Sequence, residues 1–293
     1  MATIRQVRQR IKVAKNIQQI TKAMKMVAAA RLKRAQDRVQ SARPYAATMR
    51  EMMTSLAGSV GGTVSHPLLS VRTPRNIGFL IVTADRGLAG SYNSGLLRRA
   101  SELLRDYDKE RLRLYVVGRK GIQFFRRRGF NVVSEFHINN VGVSFAEARE
   151  ITQVVREEFE TERVDQVFML YTRFYTPMTQ RPTDAQLLPI QPPESEGGLP
   201  TDAQGETEDY LFEPAADDLL RALLPRYLEG QVYQALLESL ASEHGARMTA
   251  MSSATDNAGK MITTLTLQLN RARQAGITRE ISEIVGGAEA LKG

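Results

Sequence analysis

The segment Asp85-Arg86-Gly87-Leu88-Ala89-Gly90-Ser91-Tyr92-Asn93 offers the clearest prospect of chemistry in this chain. Its glycines follow an apolar run and precede a helical stretch, a context in which exposed N–H groups and a helix N-terminus can hold phosphate. The spacing is neither that of a P-loop nor that of a dinucleotide fingerprint, and no Lys-Ser or Lys-Thr follows. A tight turn leading into a helix cap is therefore the favoured reading. His66, His137 and His244 lie far apart, and there is no cysteine, which removes disulfides, thiolate metal sites and thiol switches. Glu243-His244 falls on a helical stretch and reads as polar residues at a seam edge. No carboxylate pair and no Ser-His-Asp set assembles, so no catalysis, cofactor or metal is expected of this chain alone.

The elements around these residues fall into three parts. The first 57 residues hold no glycine and one proline, Pro44, which permits a very long helix. Ile4, Val7, Ile11 and Ala14, then Ile17, Ile20, Met24 and Val27, and on through Ala28, Leu32, Ala35 and Val39, form one drifting apolar stripe. The shift after Ala14 breaks heptad phase and predicts local unwinding of any supercoil. Pro44 is expected to kink or interrupt the helix, with Gly58, Gly61 and Gly62 ending it. In the C-terminal third, Met248, Met251, Thr255, Ala258, Ile262, Leu265, Leu269 and Ala272 keep an unbroken 4–3 alternation, the seam of a coiled coil. Pro225, Gly230, Gly245 and Gly259 are blemishes in that helix, and Pro225 is expected to kink it or mark its start.

Between them the pattern alternates. Strands are expected at Ile77–Thr83, Leu112–Val117, Val132–Phe136, Val164–Tyr175 and Leu187–Ile190, with helices at Ser91–Asp106, Gly118–Arg128 and Ser144–Thr161. Such alternation implies βαβ crossovers and a mainly parallel, Rossmann-like sheet. The fold class is thus α/β: a small sheet domain at 76–191 and an antiparallel coiled coil of terminal helices, 1–57 and 210–293. The stretch 192–209, rich in proline, glycine and acids, reads as an exposed acidic loop. A helix of some 50 residues rises about 75 Å, so it buries its stripe most simply against the other terminal helix.

The net charge of +8 is unevenly placed: twelve cations lie between Met1 and Arg43, against Asp37 alone. This arrangement calls for an acidic partner surface. An organelle transit peptide has a similar arginine-rich start, but the helical periodicity continues straight through it. A nucleic-acid-binding α/β protein with basic helical arms is the alternative reading. It lacks stacking aromatics, the first being Tyr45, and leaves the C-terminal seam without a purpose. No stretch approaches the ~18 apolar residues of a membrane span.

Ile20-Thr21-Lys22-Ala23-Met24-Lys25-Met26-Val27-Ala28-Ala29 with Arg43-Pro44-Tyr45 resembles the N-terminal signature of the F-type ATP synthase gamma subunits. The Asp85–Asn93 loop is similar to that family's loop after its first strand. Ala246-Arg247-Met248-Thr249-Ala250-Met251, Ala254-Thr255-Asp256-Asn257-Ala258 and Asn270–Ile281 resemble its C-terminal signature. The resemblance implies a non-catalytic central-stalk rotor inside three alpha and three beta subunits, seated with the epsilon subunit on the membrane c-ring. It implies contacts to the alpha and beta subunits through Met24, Lys25, Arg273, Gln274, Thr278 and Glu280. It also implies no nucleic acid, no bound cofactor, and a peripheral place on the cytoplasmic face of a bacterial plasma membrane. Some family members carry a cysteine redox switch, which this cysteine-free chain cannot have.

Overall fold

The computed structural model describes residues 3–59, 66–138, 142–191 and 216–290. The expected acidic loop 192–209, Gly61 and Gly62 lie outside them. Helix α1 (Ile4–Ser59) is 56 residues long and passes through Pro44 without ending. Pro44 and Gln40, whose carbonyl loses its N–H partner, are both exposed, so water can satisfy what the helix cannot. The sheet domain follows as β1 (Ile77–Val82), α2 (Tyr92–Leu103), β2 (Leu112–Val117), α3 (Arg119–Arg126), β3 (Val132–Phe136), α4 (Phe145–Glu160), β4 (Gln166–Phe174) and β5 (Gln180–Leu188). Helix α5 (Ala216–Ala290) closes the chain with 75 residues and contains Pro225, which neither starts nor ends it.

The sheet order is β3-β2-β1-β4-β5, with β1 to β4 parallel and β5 antiparallel to β4. β1 is buried along its whole length, which is why its sequence is continuously apolar rather than alternating. Strand order advances from β1 through β2 to β3, then reverses to reach β4. Right-handed crossovers therefore place α2 and α3 on one face and α4 on the other. Ile77, Phe79 and Ile81 join Leu96, Ala100, Ile122 and Phe125 in the core under α2 and α3. On the opposite face the buried Glu158 of α4 is bonded by Arg113 (2.7 Å), Arg163 (2.8 Å) and the Tyr115 hydroxyl (3.3 Å). Helix α4 starts on a reciprocal capping box between Ser144 and Glu147.

The last strand corrects the expectation of Leu187–Ile190. It starts at Gln180, and its outer half is exposed and polar, so only its apolar end carried a strand signal. The chain forms two compact units, 1–29 with 247–293, and 30–246, so both long helices contribute to both units.

Candidate partner interface

In the unit formed by 1–29 and 247–293, the two helices run antiparallel. The Thr255 hydroxyl donates to Thr21 Oγ1 (2.8 Å) and the Lys25 ammonium donates to Ser252 Oγ (3.0 Å). A Cβ on Gly259 would meet the Gln18 amide at 3.2 Å. Each step along α1 is matched by a step back along α5, and the same register sets Ile4 level with Ala272. On α5 the half-buried and buried residues of this unit include every seam position from Met248 to Ala272, as the 4–3 alternation predicts.

On α1 the structure corrects the expected stripe. Val7, Ala14, Thr21 and Ala28 are buried at strict seven-residue intervals, with Ile4, Ile11 and Gln18 half-buried between them. Heptad phase is never lost. Ile17, Ile20 and Val27 are instead 47%, 59% and 52% exposed, and with Val13 they form a second apolar strip facing outward. The sequence misled because from Ala14 to Ala28 the α1 seam is built from small and polar side chains, while the larger apolar Ile17, Ile20 and Val27 lie outside. α5 keeps large apolar residues in its seam and adds exposed Met261 and Leu267 outside it. Beyond Gly276, which lies past the level where α1 begins, every described residue from Ile277 to Gly287 is exposed, including Ile281 and Ile284 at 56% and 71%. The cations Arg5, Arg8, Arg10, Lys12, Lys15, Lys22 and Lys25 are all exposed too, and 1–29 contains no acid.

The residues expected to contact partners lie on this unit but not together. Met24 is half-buried and Lys25 exposed, level with Met251 and Ser252. Arg273, Gln274, Thr278 and Glu280 are exposed and begin about 30 Å further along α5. They make two bands rather than one pocket. Their neighbours in the exposed apolar strips were legible as apolar residues, but not as outward-facing ones.

The glycine loop spends its polar groups on the protein itself. Asp85 Oδ1 accepts from the Arg119 N–H at the start of α3 (2.9 Å) and lies 3.2 Å from His137 Nδ1. Asn93 Oδ1 accepts from the Ala84 N–H, and its amide donates to the Arg86 carbonyl. Leu88 and Gly90 take positive φ, which lets the loop turn back into α2. The carboxyl ends of β1 and β4 form the switch point of the sheet, the usual ligand crevice of such folds. Here Ser239 and Ser242 of α5 bond Thr172 of β4, and beside it, over Val82, Asp85 and Gly118 at the ends of β1 and β2, Leu236, Leu240 and Glu243 help enclose a space of about 20 Å³, the room of a single water. This arrangement supports the tight turn but corrects the expected cap, since Ser91 at the N-cap of α2 makes no side-chain capping bond. Glu243 and His244 are buried here, not at a seam edge.

The sequence model of the ATP synthase family described as "ATP synthase" matches residues 3–291. The chain is 47% identical over 292 residues to the ATP synthase gamma chain of Pelotomaculum thermopropionicum, covering 100% of both, and 47% identical to that of Desulfitobacterium hafniense with the same coverage. Among solved structures it is similar to a chain of the central stalk and c-ring of Tetrahymena thermophila mitochondrial ATP synthase (TM-score 0.62, 26% identity, 80% of this chain and 99% of that one). A chain of the Euglena gracilis mitochondrial ATP synthase rotor shares the fold at TM-score 0.66 and 19% identity, over 94% and 98% of the two chains. Long terminal helices, an α/β domain between them in sequence and a match along the whole chain agree: this chain belongs to the ATP synthase gamma-chain family, the non-catalytic central-stalk subunits of that complex.

Proposed function

We propose that the unit formed by 1–29 and 247–293 turns inside a ring of three alpha and three beta subunits, while the α/β domain sits with an epsilon subunit on a membrane c-ring. Rotation driven by proton flow would then be coupled to ATP synthesis in the ring. In this reading the chain is peripheral to a bacterial plasma membrane, on its cytoplasmic face, and binds no cofactor itself. Among the described residues no helix is long and apolar enough to cross a membrane.

The observation that carries this reading is the second apolar surface of the coil. Besides the seam, Val13, Ile17, Ile20, Val27, Met261, Ile277, Ile281 and Ile284 stand exposed on the outside. Exposed apolar strips of this extent mark a surface that is covered in the working state. The exposed cations that share α1 fit acidic loops of the surrounding subunits. Met24, Lys25, Arg273, Gln274, Thr278 and Glu280 would touch those subunits at two heights. Coupling requires contacts that differ among the three positions, since a contact equal in all of them shifts no equilibrium. Exposed ionic and polar contacts, each worth ~0–1 kcal/mol, can break and re-form during a turn.

Co-expression with alpha and beta subunits tests it. The expected result is a salt-stable complex that hydrolyses ATP, where the isolated chain does not. Failure to co-purify under mild salt would sink the reading. The family assignment leaves the nucleic-acid alternative with nothing but charge to support it.

A further inference from the structure

Helix α5 carries Ser239 and Ser242 on the face turned to the sheet, 2% and 0% exposed. A serine inside a helix ordinarily returns its hydroxyl to a carbonyl one turn back. These two reach instead to a single residue of another element. The Thr172 N–H donates to Ser239 Oγ (3.3 Å), and Ser242 Oγ donates to the Thr172 carbonyl (3.0 Å). The cause lies in the strand lengths. β1 pairs with β4 from Ile77↔Gln166 to Ile81↔Leu170 and ends at Val82, whereas β4 runs on to Phe174. Past Leu170, β4 has outrun its neighbour, and the Thr172 N–H and C=O point to that vacant side: the bonded pairs with β5 alternate in step with Tyr175 and Thr179, which leaves Thr172 and Pro182 a non-hydrogen-bonded pair. A buried backbone N–H and C=O must find partners, and the two serines stand in for the missing strand.

The next turn of α5 is held as closely. A Cβ on Gly245 would lie 3.3 Å from the Pro177 carbonyl oxygen and 3.4 Å from Pro177 Cα, in the turn between β4 and β5. Ala246 packs against Ala84, Ala89 and Tyr92 of the glycine loop. Rotating α5 by one residue, about 100°, or sliding it by one turn would break both serine bonds and drive a larger side chain into the Pro177 turn.

We propose that Ser239, Ser242 and Gly245 are positioning residues that lock α5 on the sheet in angle and height, so that torque passes between the α/β domain and the long helix without slip. The proposal rests on the shaft reading above. It assigns the crevice at the strand ends a mechanical purpose in place of a ligand.

Two variants test it in the assembled complex. With Ser239→Ala and Ser242→Ala together, ATP hydrolysis is expected to stay near that of the unaltered complex while ATP-driven proton pumping falls severalfold. The Thr172 amide of the chain should then exchange hydrogen roughly tenfold faster or more. An unchanged ratio of pumping to hydrolysis, or unchanged exchange at Thr172, overturns the lock. The second variant, Pro177→Cys with Gly245→Cys, exploits the absence of any other cysteine in the chain. The short approach at Gly245 suits a disulfide. Oxidation is expected to leave pumping intact, because a lock that never opens loses nothing when made covalent. Pumping that is lost on oxidation and restored by reduction would show α5 moving against the sheet, and overturns the proposal even if the serine variant fails to fold. Failure of the unaltered chain to support pumping would instead overturn the shaft reading, and the torque role with it.

Discussion

Glu158 shows how one buried carboxylate can bind two layers. Burial by itself would raise its pKa, but the bonds from Arg163 and Arg113 outweigh that and hold it below the ordinary value of 4.5. The same carboxylate, together with burial, pushes the Tyr115 hydroxyl well above its usual range, with burial the larger cause. Since the folded value for Glu158 is depressed, its contribution to stability is complete above pH 4.5 and is lost as the pH falls through that lowered value. Glu158→Gln leaves Arg113 and Arg163 without their charge partner and is expected to cost about 3 kcal/mol, as broken buried pairs do. Urea unfolding of the isolated chain at neutral pH, repeated near pH 3, checks both statements: the gap between variant and parent should narrow in acid. His66 behaves alike for a different reason. Its Nδ1 accepts the Leu68 N–H, which needs the neutral ring, and burial lowers its pKa. That cap is therefore complete above the ordinary value of 6.5 and weakens as the pH drops below it. The Arg113–Glu158 partnership was not legible in the sequence, because the two residues are brought together only by the crossover from β3 through α4.

At the scale of elements, the coil seam is the part most open to test. Thr21 and Thr255 spend a hydroxyl pair where most coiled coils place aliphatic side chains. Replacing both at once, Thr21→Val with Thr255→Val, keeps shape and removes two polar groups together, so stability is expected to hold or rise by up to about 1 kcal/mol. Thermal unfolding followed by circular dichroism reads this, and a clear fall in melting temperature would show that the hydroxyl pair is worth more than its apolar replacement. Gly118 tests the carboxyl ends of β1 and β2 instead. Its φ is +91°, and a Cβ there would sit within the van der Waals envelope of the Thr83 carbonyl. Gly118→Ala is expected to destabilise the sheet domain by ~2 kcal/mol or more, from the backbone strain alone. The 4–3 repeat of α5 could be read directly because each seam position there is small, flexible or aliphatic and the repeat never pauses. On α1 the same repeat was hidden: Gln18 and Thr21 occupy it, while Ile17 and Ile20 beside them supply a stronger apolar signal on the wrong face.

For the whole molecule, the exposed end of α5 makes the sharpest forecast. Ile281→Asp with Ile284→Asp touches no core, so the free chain is expected to unfold within about 0.5 kcal/mol of the parent. The same variant should reduce the chain's retention by alpha and beta subunits, measured by co-purification across a salt series. Equal retention would mean that this end of the helix is not covered in the complex. The amino-acid sequence by itself determined the long terminal helices, the parallel βαβ grammar, the charge imbalance of α1 and the absence of cysteine chemistry, because each follows from local periodicity or composition. It also carried the family signatures. Which apolar face of α1 turns inward, why Gly245 and Gly259 stand inside a continuous helix and what Ser239 and Ser242 bond were decided only by the tertiary structure. The two glycines sit where the Pro177 turn and the Gln18 side chain approach α5, and the serines where β4 outlasts β1. Those are encounters between segments far apart in the chain, and periodicity within one segment holds no record of them.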